Sequence, residues 1–160
     1  MSNLEIRSAS AEDSALILRL ITDLAIYEKA GDAVIATVFD IEQTLFGEDS
    51  TTRALVCEID GQAVGFAVYF FNYSTWLGKQ GLYLEDLFVL PQHRGHGAGK
   101  ALLVQLAKIA VANQCGRFEW SVLDWNEPAI KFYQSLGAEP QNEWISYRLT
   151  GQALTKLAES

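Results

Sequence analysis

Gln92-His93-Arg94-Gly95-His96-Gly97-Ala98-Gly99-Lys100 is the stretch that most restricts what this chain can fold into. Three glycines at alternate positions clear side chains from a turn and admit backbone conformations that other residues adopt only at a cost. The turn follows a strand-like apolar run, Leu82 to Leu90, and opens directly into the helical pattern Ala101-Leu102-Leu103-Val104-Gln105-Leu106-Ala107. A glycine turn at a helix N-terminus presents unpaired N–H groups and the positive end of the helix dipole to an approaching anion. Arg94 and Lys100 add fixed positive charge. Strand, turn and helix in this order read as a pyrophosphate cradle.

Spacing removes two other cradles. The glycines give G-x-G-x-G, whereas the dinucleotide-binding turn needs G-x-G-x-x-G. A P-loop ending at Lys100 needs glycine at 94 and Ser or Thr at 101, and the chain has Arg94 and Ala101.

The whole chain carries enough apolar residues, 49% of 160, for one compact domain, expected over 1–160. The net charge of −8 includes no basic stripe beyond the glycine turn, which argues against nucleic acid; it suits a cationic partner, but from composition alone it reads first as charge that keeps the protein in solution. No stretch is apolar and long enough for a membrane span, and Met1-Ser2-Asn3-Leu4-Glu5 lacks the basic and apolar regions of a signal peptide, so a cytoplasmic location is expected. Cys57 and Cys115 are the two cysteines, and His93 and His96 the two histidines; that spacing suits reduced core thiols and no metal site.

Periodicity and turn chemistry predict the elements. Leu4–Arg7 alternates as a strand, Ser10 to Asp13 supply a helix start, and Leu16, Leu20, Ile21, Leu24 and Tyr27 carry a helix to about Glu28. Thr37 and Asp40 cap a shorter helix. A hairpin follows, Arg53–Ile59 and Ala63–Phe71 about Asp60-Gly61, then a polar loop over 72–81 centred on Trp76. Beyond the long helix, a strand is expected over Phe118–Leu123, a helix begun by Asn126-Glu127-Pro128 and stopped by Gly137, a last strand Trp144–Leu149, and a short terminal helix. The order predicts a mixed sheet with helices on both faces, in the α+β or α/β class.

Arg94, Gly97 and Gly99 match the R/Q-x-x-G-x-G/A motif, so the turn resembles that of the GNAT acetyltransferase superfamily. A second element, Asn126-Glu127-Pro128-Ala129-Ile130-Lys131-Phe132-Tyr133-Gln134-Ser135-Leu136-Gly137-Ala138, is similar to that family's N-x-x-A-x-x-F-Y-x-x-x-G-[FA] helix. Leu24 to Glu28, Tyr83 to Val89 and Asp124 to Pro128 look like the spermidine/spermine and thialysine acetyltransferase group, and Ser74-Thr75-Trp76 looks closer to the thialysine branch than to the Asp-Pro-Trp of the polyamine branch.

The resemblance implies the GNAT fold, a three-layer α/β arrangement with a mostly antiparallel sheet. It implies acetyl-CoA as acetyl donor, a small cationic amine as acceptor and a homodimer packed through its last strand region. It places the pantetheine arm along Leu87, Phe88 and Val89, and the pyrophosphate on Arg94, Gly95, His96, Gly97, Ala98, Gly99 and Lys100. Asn126, Ala129 and Tyr133 would lie along the rest of the CoA arm.

Acetyl transfer to an amine requires loss of the amine's proton, since an alkylammonium titrates near about 10, together with donors for the oxyanion and a proton for the leaving thiolate. Glu85 and Asp86 are neighbours on a predicted strand, so alternation turns them to opposite faces. One plausible face is the substrate groove, and the resemblance picks Glu85 to assist deprotonation through a water. Tyr133 is the candidate acid, a phenol near about 10 opposite a thiol near about 8.5. Tyr27, Glu28, Trp76, Glu85 and Asp86 form the expected substrate side, with Trp76 either an aromatic face for an ammonium or a subunit contact. Ser74, where the polyamine branch has Asp, leaves the expected pocket one carboxylate short. Two further readings use the same residues: acetylation of protein lysines or N-termini, and a non-catalytic acyl-CoA-binding module.

Overall fold

The computed structural model describes residues 2–160, so Met1, where the expected domain begins, lies outside the described residues. The chain divides into two compact units, one up to Leu123 and one of Asp124–Ser160. The larger unit holds β1 (Leu4–Ser8), α1 (Ser14–Tyr27), α2 (Val38–Leu45), β2 (Thr52–Ile59), β3 (Gln62–Ser74), β4 (Lys79–Val89), α3 (Ala98–Ala112) and β5 (Arg117–Trp120). The smaller holds α4 (Glu127–Ser135) and α5 (Gly151–Ala158).

The five strands form one sheet in the order β1-β2-β3-β4-β5, antiparallel throughout except for the parallel β4–β5 pair. Asp60 and Gly61, with φ of 51° and 80°, make the β2–β3 turn that Asp-Gly is suited to. The helices cover both faces. Ile17 and Leu20 of α1 and Leu45 of α2 pack on Ala54, Phe66, Val68 and Phe88. Val89, next to Phe88 on β4 and therefore on the opposite face, lies against α3, which buries Leu102, Leu103 and Leu106. The fold is α+β with a mixed, mostly antiparallel sheet.

Local chemistry explains where the first helices begin. Ser10 and Asp13 form a capping box on the single 3₁₀ turn Ala11–Asp13 that leads into α1, with the Asp13 carboxylate accepting from Ser10 N–H at 2.8 Å. The same carboxylate takes both guanidinium arms of Arg7, at 2.8 and 2.9 Å, while Arg7 Nε donates to Glu58 at 3.1 Å. One arginine thus joins β1, β2 and the entry to α1, and holds the Asp13 carboxyl below its usual range. Thr37 and Asp40 cap α2 in the same way, as the sequence predicts.

Three expected elements differ, the first being the strand expected over Phe118–Leu123, which forms as Arg117–Trp120 and leaves 121–123 irregular. The loop over 72–81 shrinks to Thr75–Gly78, because β3 continues to Ser74 and β4 begins at Lys79, with Asn72 paired to Gly81. Polar residues at the end of a long hairpin resemble a loop in sequence, yet the β3 partner keeps them in the ladder. The strand expected over Trp144–Leu149 is irregular and exposed, with Tyr147 94% accessible. Its aromatic and branched residues favour extended structure, but among the described residues no strand pairs with it.

Candidate active site

The end of β4 differs from the rest of the sheet. Its parallel pairing with β5 covers only Gly81–Leu84 opposite Arg117–Trp120. Residues Glu85 to Val89 run on with β3 on one side and, among the described residues, no strand on the other. Backbone groups on that side stay open to a ligand, an arrangement suited to an extended chain lying alongside. Phe88 itself is 4% exposed and its ring belongs to the α1–α2 core, so only its backbone can face this opening. Val89 is also buried and Leu87 is half-buried.

A β-bulge marks the start of the open stretch. Val68 pairs with Asp86 and Tyr69 with Leu84, which leaves Glu85 as the extra residue. The simple alternation expected for Glu85 and Asp86 is therefore interrupted at that point. Glu85 is exposed, whereas Asp86 is half-buried. Burial, followed by the charges of Glu85 and Glu28, pushes the Asp86 carboxyl up to about 6. Burial also raises Glu28, at the C-terminus of α1. Three carboxyls from two elements thus share one neighbourhood, and Asp86 is the most perturbed of them.

The glycine turn begins after a single turn of 3₁₀ helix, Pro91–His93. Gly95 and Gly97 have φ of 82° and 83°, and Gly97 is the N-cap of α3. A Cβ added to either would meet nothing within 4 Å, so backbone conformation and not protein crowding requires glycine there. The open side of those glycines, beside the first turn of α3, leaves room for an anionic group such as a diphosphate. Gly99 is different: its Cβ direction points to Val89, 4.0 Å away, within the helix–sheet contact, and Ala98 is buried. The exposed His96 places Nδ1 3.3 Å from the His93 carbonyl oxygen. Lys100 is exposed and lines a groove of about 480 Å³ with Gly97, Val104, Lys108 and Ile6.

Arg94 does not project freely into this space. Its Nε donates to the Val89 carbonyl at 3.0 Å, and its guanidinium carbon lies 4.9 Å from the Tyr27 ring centre and 5.3 Å from that of Phe88. The two rings are 6.3 Å apart. Tyr27 and Glu28, at the end of α1, are thereby brought beside β4 and the glycine turn. Neither the bulge at Glu85 nor this stack has a local sequence signal. Both depend on residues distant in the chain meeting in the fold.

Trp76 is not brought to this place within the chain. It lies 87% exposed in the β3–β4 turn, at the opposite end of β4 from Leu87–Val89. Ser74, expected at the far end of the amine pocket, is 2% exposed as the last residue of β3 beside that turn, its Oγ accepting from Leu77 N–H at 3.2 Å. The hairpin's length, misread as loop, accounts for both displacements.

In the smaller unit, Asn126 Oδ1 accepts from Ala129 N–H at 3.4 Å, with Pro128 in the first turn of α4. Tyr133 and Phe132 have ring centres 5.8 Å apart on that helix. After Ser135 the chain turns at Gly137, whose φ is 90°, and Ala138 N–H donates to the Tyr133 carbonyl at 3.2 Å.

The acetyltransferase (GNAT) family matches residues 22–138. The thialysine N-epsilon-acetyltransferase of Mus musculus is 37% identical over 169 residues, covering 99% of both chains. The L-ornithine N5-acetyltransferase of Arabidopsis thaliana is 48% identical over 95 residues, 59% of this chain and 42% of that one. Among solved structures, an integron cassette protein from the mobile metagenome of V. cholerae has a TM-score of 0.83 at 30% identity, covering 98% of each chain. The match reaches from α1 through the bulged strand and the glycine turn to the α4 helix, and the chain is a member of the GNAT family of acetyltransferases.

Proposed function

We propose that this acetyltransferase moves the acetyl group of acetyl-CoA to the side-chain amine of a small, cationic, amino-acid-like substrate. The observation that carries the substrate class is the carboxyl group of Asp86, half-buried beside Glu28 and Glu85. Three acids so placed repel one another, and a cation entering among them relieves that repulsion. The relatives named for thialysine and L-ornithine support an amino acid with a terminal amine.

The bound thioester supplies an electrophilic carbonyl. Around it, the amides at the open end of β4 would donate to the oxyanion, and the amides of Gly95 to Lys100 would hold the diphosphate. Glu85 assists loss of the ammonium proton through a water, Asp86 and Glu28 hold the positive charge until that proton leaves, and the free amine adds to the thioester carbonyl, giving up a second proton to solvent as the C–S bond breaks. On the family resemblance, Tyr133 would give a proton to the leaving thiolate, and the same resemblance assigns Asn126 and Ala129, at the start of α4, to the CoA arm.

We read residues 1–160 as one domain, a reading supported by a family match that runs across the boundary between the two units. A homodimer is proposed on the resemblance, the exposed Trp144, Ile145 and Tyr147 being the surface it would cover. A cytoplasmic location fits the free thiols of Cys57 and Cys115. No helix among the described residues is long and apolar enough to cross a membrane.

The test is thiol release from acetyl-CoA, measured with thialysine, ornithine, lysine, spermidine and a basic peptide in turn. Turnover with thialysine or ornithine is expected. Absence of thiol release with every small amine would overturn the proposal.

A further inference from the structure

Arg94 opens the glycine motif, where positive charge suggests a phosphate contact. Its Nε and the face of its guanidinium are engaged elsewhere, while the residue as a whole is exposed. The Nε proton goes to the Val89 carbonyl at 3.0 Å, and the guanidinium plane has Tyr27 and Phe88 at 4.9 and 5.3 Å. Val89 is the last residue of β4, and Phe88 is fixed by the α1–α2 core. Tyr27 is the last residue of α1, directly before Glu28. These contacts connect the turn that would hold the diphosphate to the helix end that would meet the amine.

We propose that Arg94 is a positioning residue that couples the acetyl-CoA turn to the amine side of the site, through its stack on Tyr27 and its bond to Val89. The inference rests on the amine-acetylation reading and adds a physical link between the two binding steps. Guanidinium geometry is essential to it. A planar cation can lie against two rings while its Nε donates at the edge, whereas an ammonium keeps the charge and loses both the plane and that donor. Ordering the turn by acetyl-CoA therefore fixes Tyr27 and Glu28, and a change at Arg94 loosens the amine site without itself removing a group placed against the amine.

Arg94→Lys and Arg94→Gln separate this role from a phosphate contact, with circular dichroism confirming that each variant folds. KM for thialysine is expected to rise about tenfold in both, the loss of a stacked cation–π contact and one hydrogen bond. Tyr27→Leu should raise it similarly. The double variant Arg94→Gln/Tyr27→Leu should be little worse than either single one, because both changes break one link. Calorimetric titration of thialysine, with and without desulfo-CoA, gives the same comparison without turnover: acetyl-CoA-like ligand should tighten amine binding in the wild type and much less in the variants. Wild-type amine KM in Arg94→Lys, or effects of Arg94→Gln and Tyr27→Leu that simply multiply, would overturn the coupling. A wild-type protein that binds and acetylates no amine would instead remove the amine-acetylation reading.

Discussion

Replacing Asp86 with Asn should stabilise the free protein while weakening its use of cationic substrates. An aspartate in an unfolded chain titrates near about 3.9. In the fold, burial and the charges of Glu85 and Glu28 push Asp86 up to about 6. Between those values the folded protein keeps a proton that the unfolded chain has released, so wild-type stability falls as pH rises through the window. At pH 7 the accumulated cost is about 3 kcal/mol, at 1.36 kcal/mol for each pH interval of one. Asn leaves a polar group in the same place, which makes this figure an upper bound. For a domain of this size about 3 kcal/mol corresponds to roughly 6–12 °C in melting temperature. Thermal unfolding of both proteins from pH 3.5 to pH 8 is the assay. The Asn variant should melt higher at pH 7, and the two curves should converge below about pH 4, where both states of Asp86 are protonated. Saturating thialysine should raise the wild-type melting temperature more than that of the variant, since the cation offsets the repulsion. Equal melting temperatures across the whole range would mean that Asp86 ionises without penalty, and the physical basis for the amine site would fail.

Gly97→Ala places a methyl on a backbone with φ of 83° and no protein atom within 4 Å of it. Its stability cost should be about 1–2 kcal/mol, matching Gly61→Ala in the β2–β3 turn, where φ is 80° and the space is also open. Titration should then show about tenfold or greater loss of acetyl-CoA affinity for Gly97→Ala alone; equal affinity in the two variants would move the diphosphate away from the turn. Tyr133→Phe should lower kcat by roughly 10²–10⁴-fold with little change in acetyl-CoA affinity, and Glu85→Gln should make the rate follow the free-amine fraction as pH rises. Full activity in both would leave transfer to proximity and backbone donors. Light scattering at micromolar concentration should give a dimer mass, and Trp144→Ser/Tyr147→Ser should shift it toward the monomer; a wild-type monomer would reject the dimer proposal.

The features most readable from sequence were those with local chemical causes. Thr37 with Asp40 and Asn126 with Pro128 each start a helix through contacts within a few residues, while Ser10 with Asp13 starts the 3₁₀ turn that runs into α1. The glycine turn was legible for the same reason, since positive φ at Gly95 and Gly97 is a property of the local backbone. What depends on a distant partner was not legible. Strand β3 decides that 72–81 is ladder and not loop, and this carries Ser74 and Trp76 to the end of the sheet away from the glycine turn. The same strand creates the bulge at Glu85 by pairing Val68 with Asp86 and Tyr69 with Leu84. Exposure of Trp144–Leu149 has the converse origin: residues suited to a strand have no neighbour to pair with among the described residues.

A competition assay tests the substrate assignment most directly. Thialysine, ornithine, spermidine, spermine and a lysine-rich peptide at equal concentration share limiting acetyl-CoA, and mass spectrometry counts the products. Their ratio reports relative kcat/KM in a single vessel. The account predicts that thialysine or ornithine takes most of the acetyl groups, on the side-chain nitrogen. A product mixture dominated by acetylated spermine or by the peptide would contradict it.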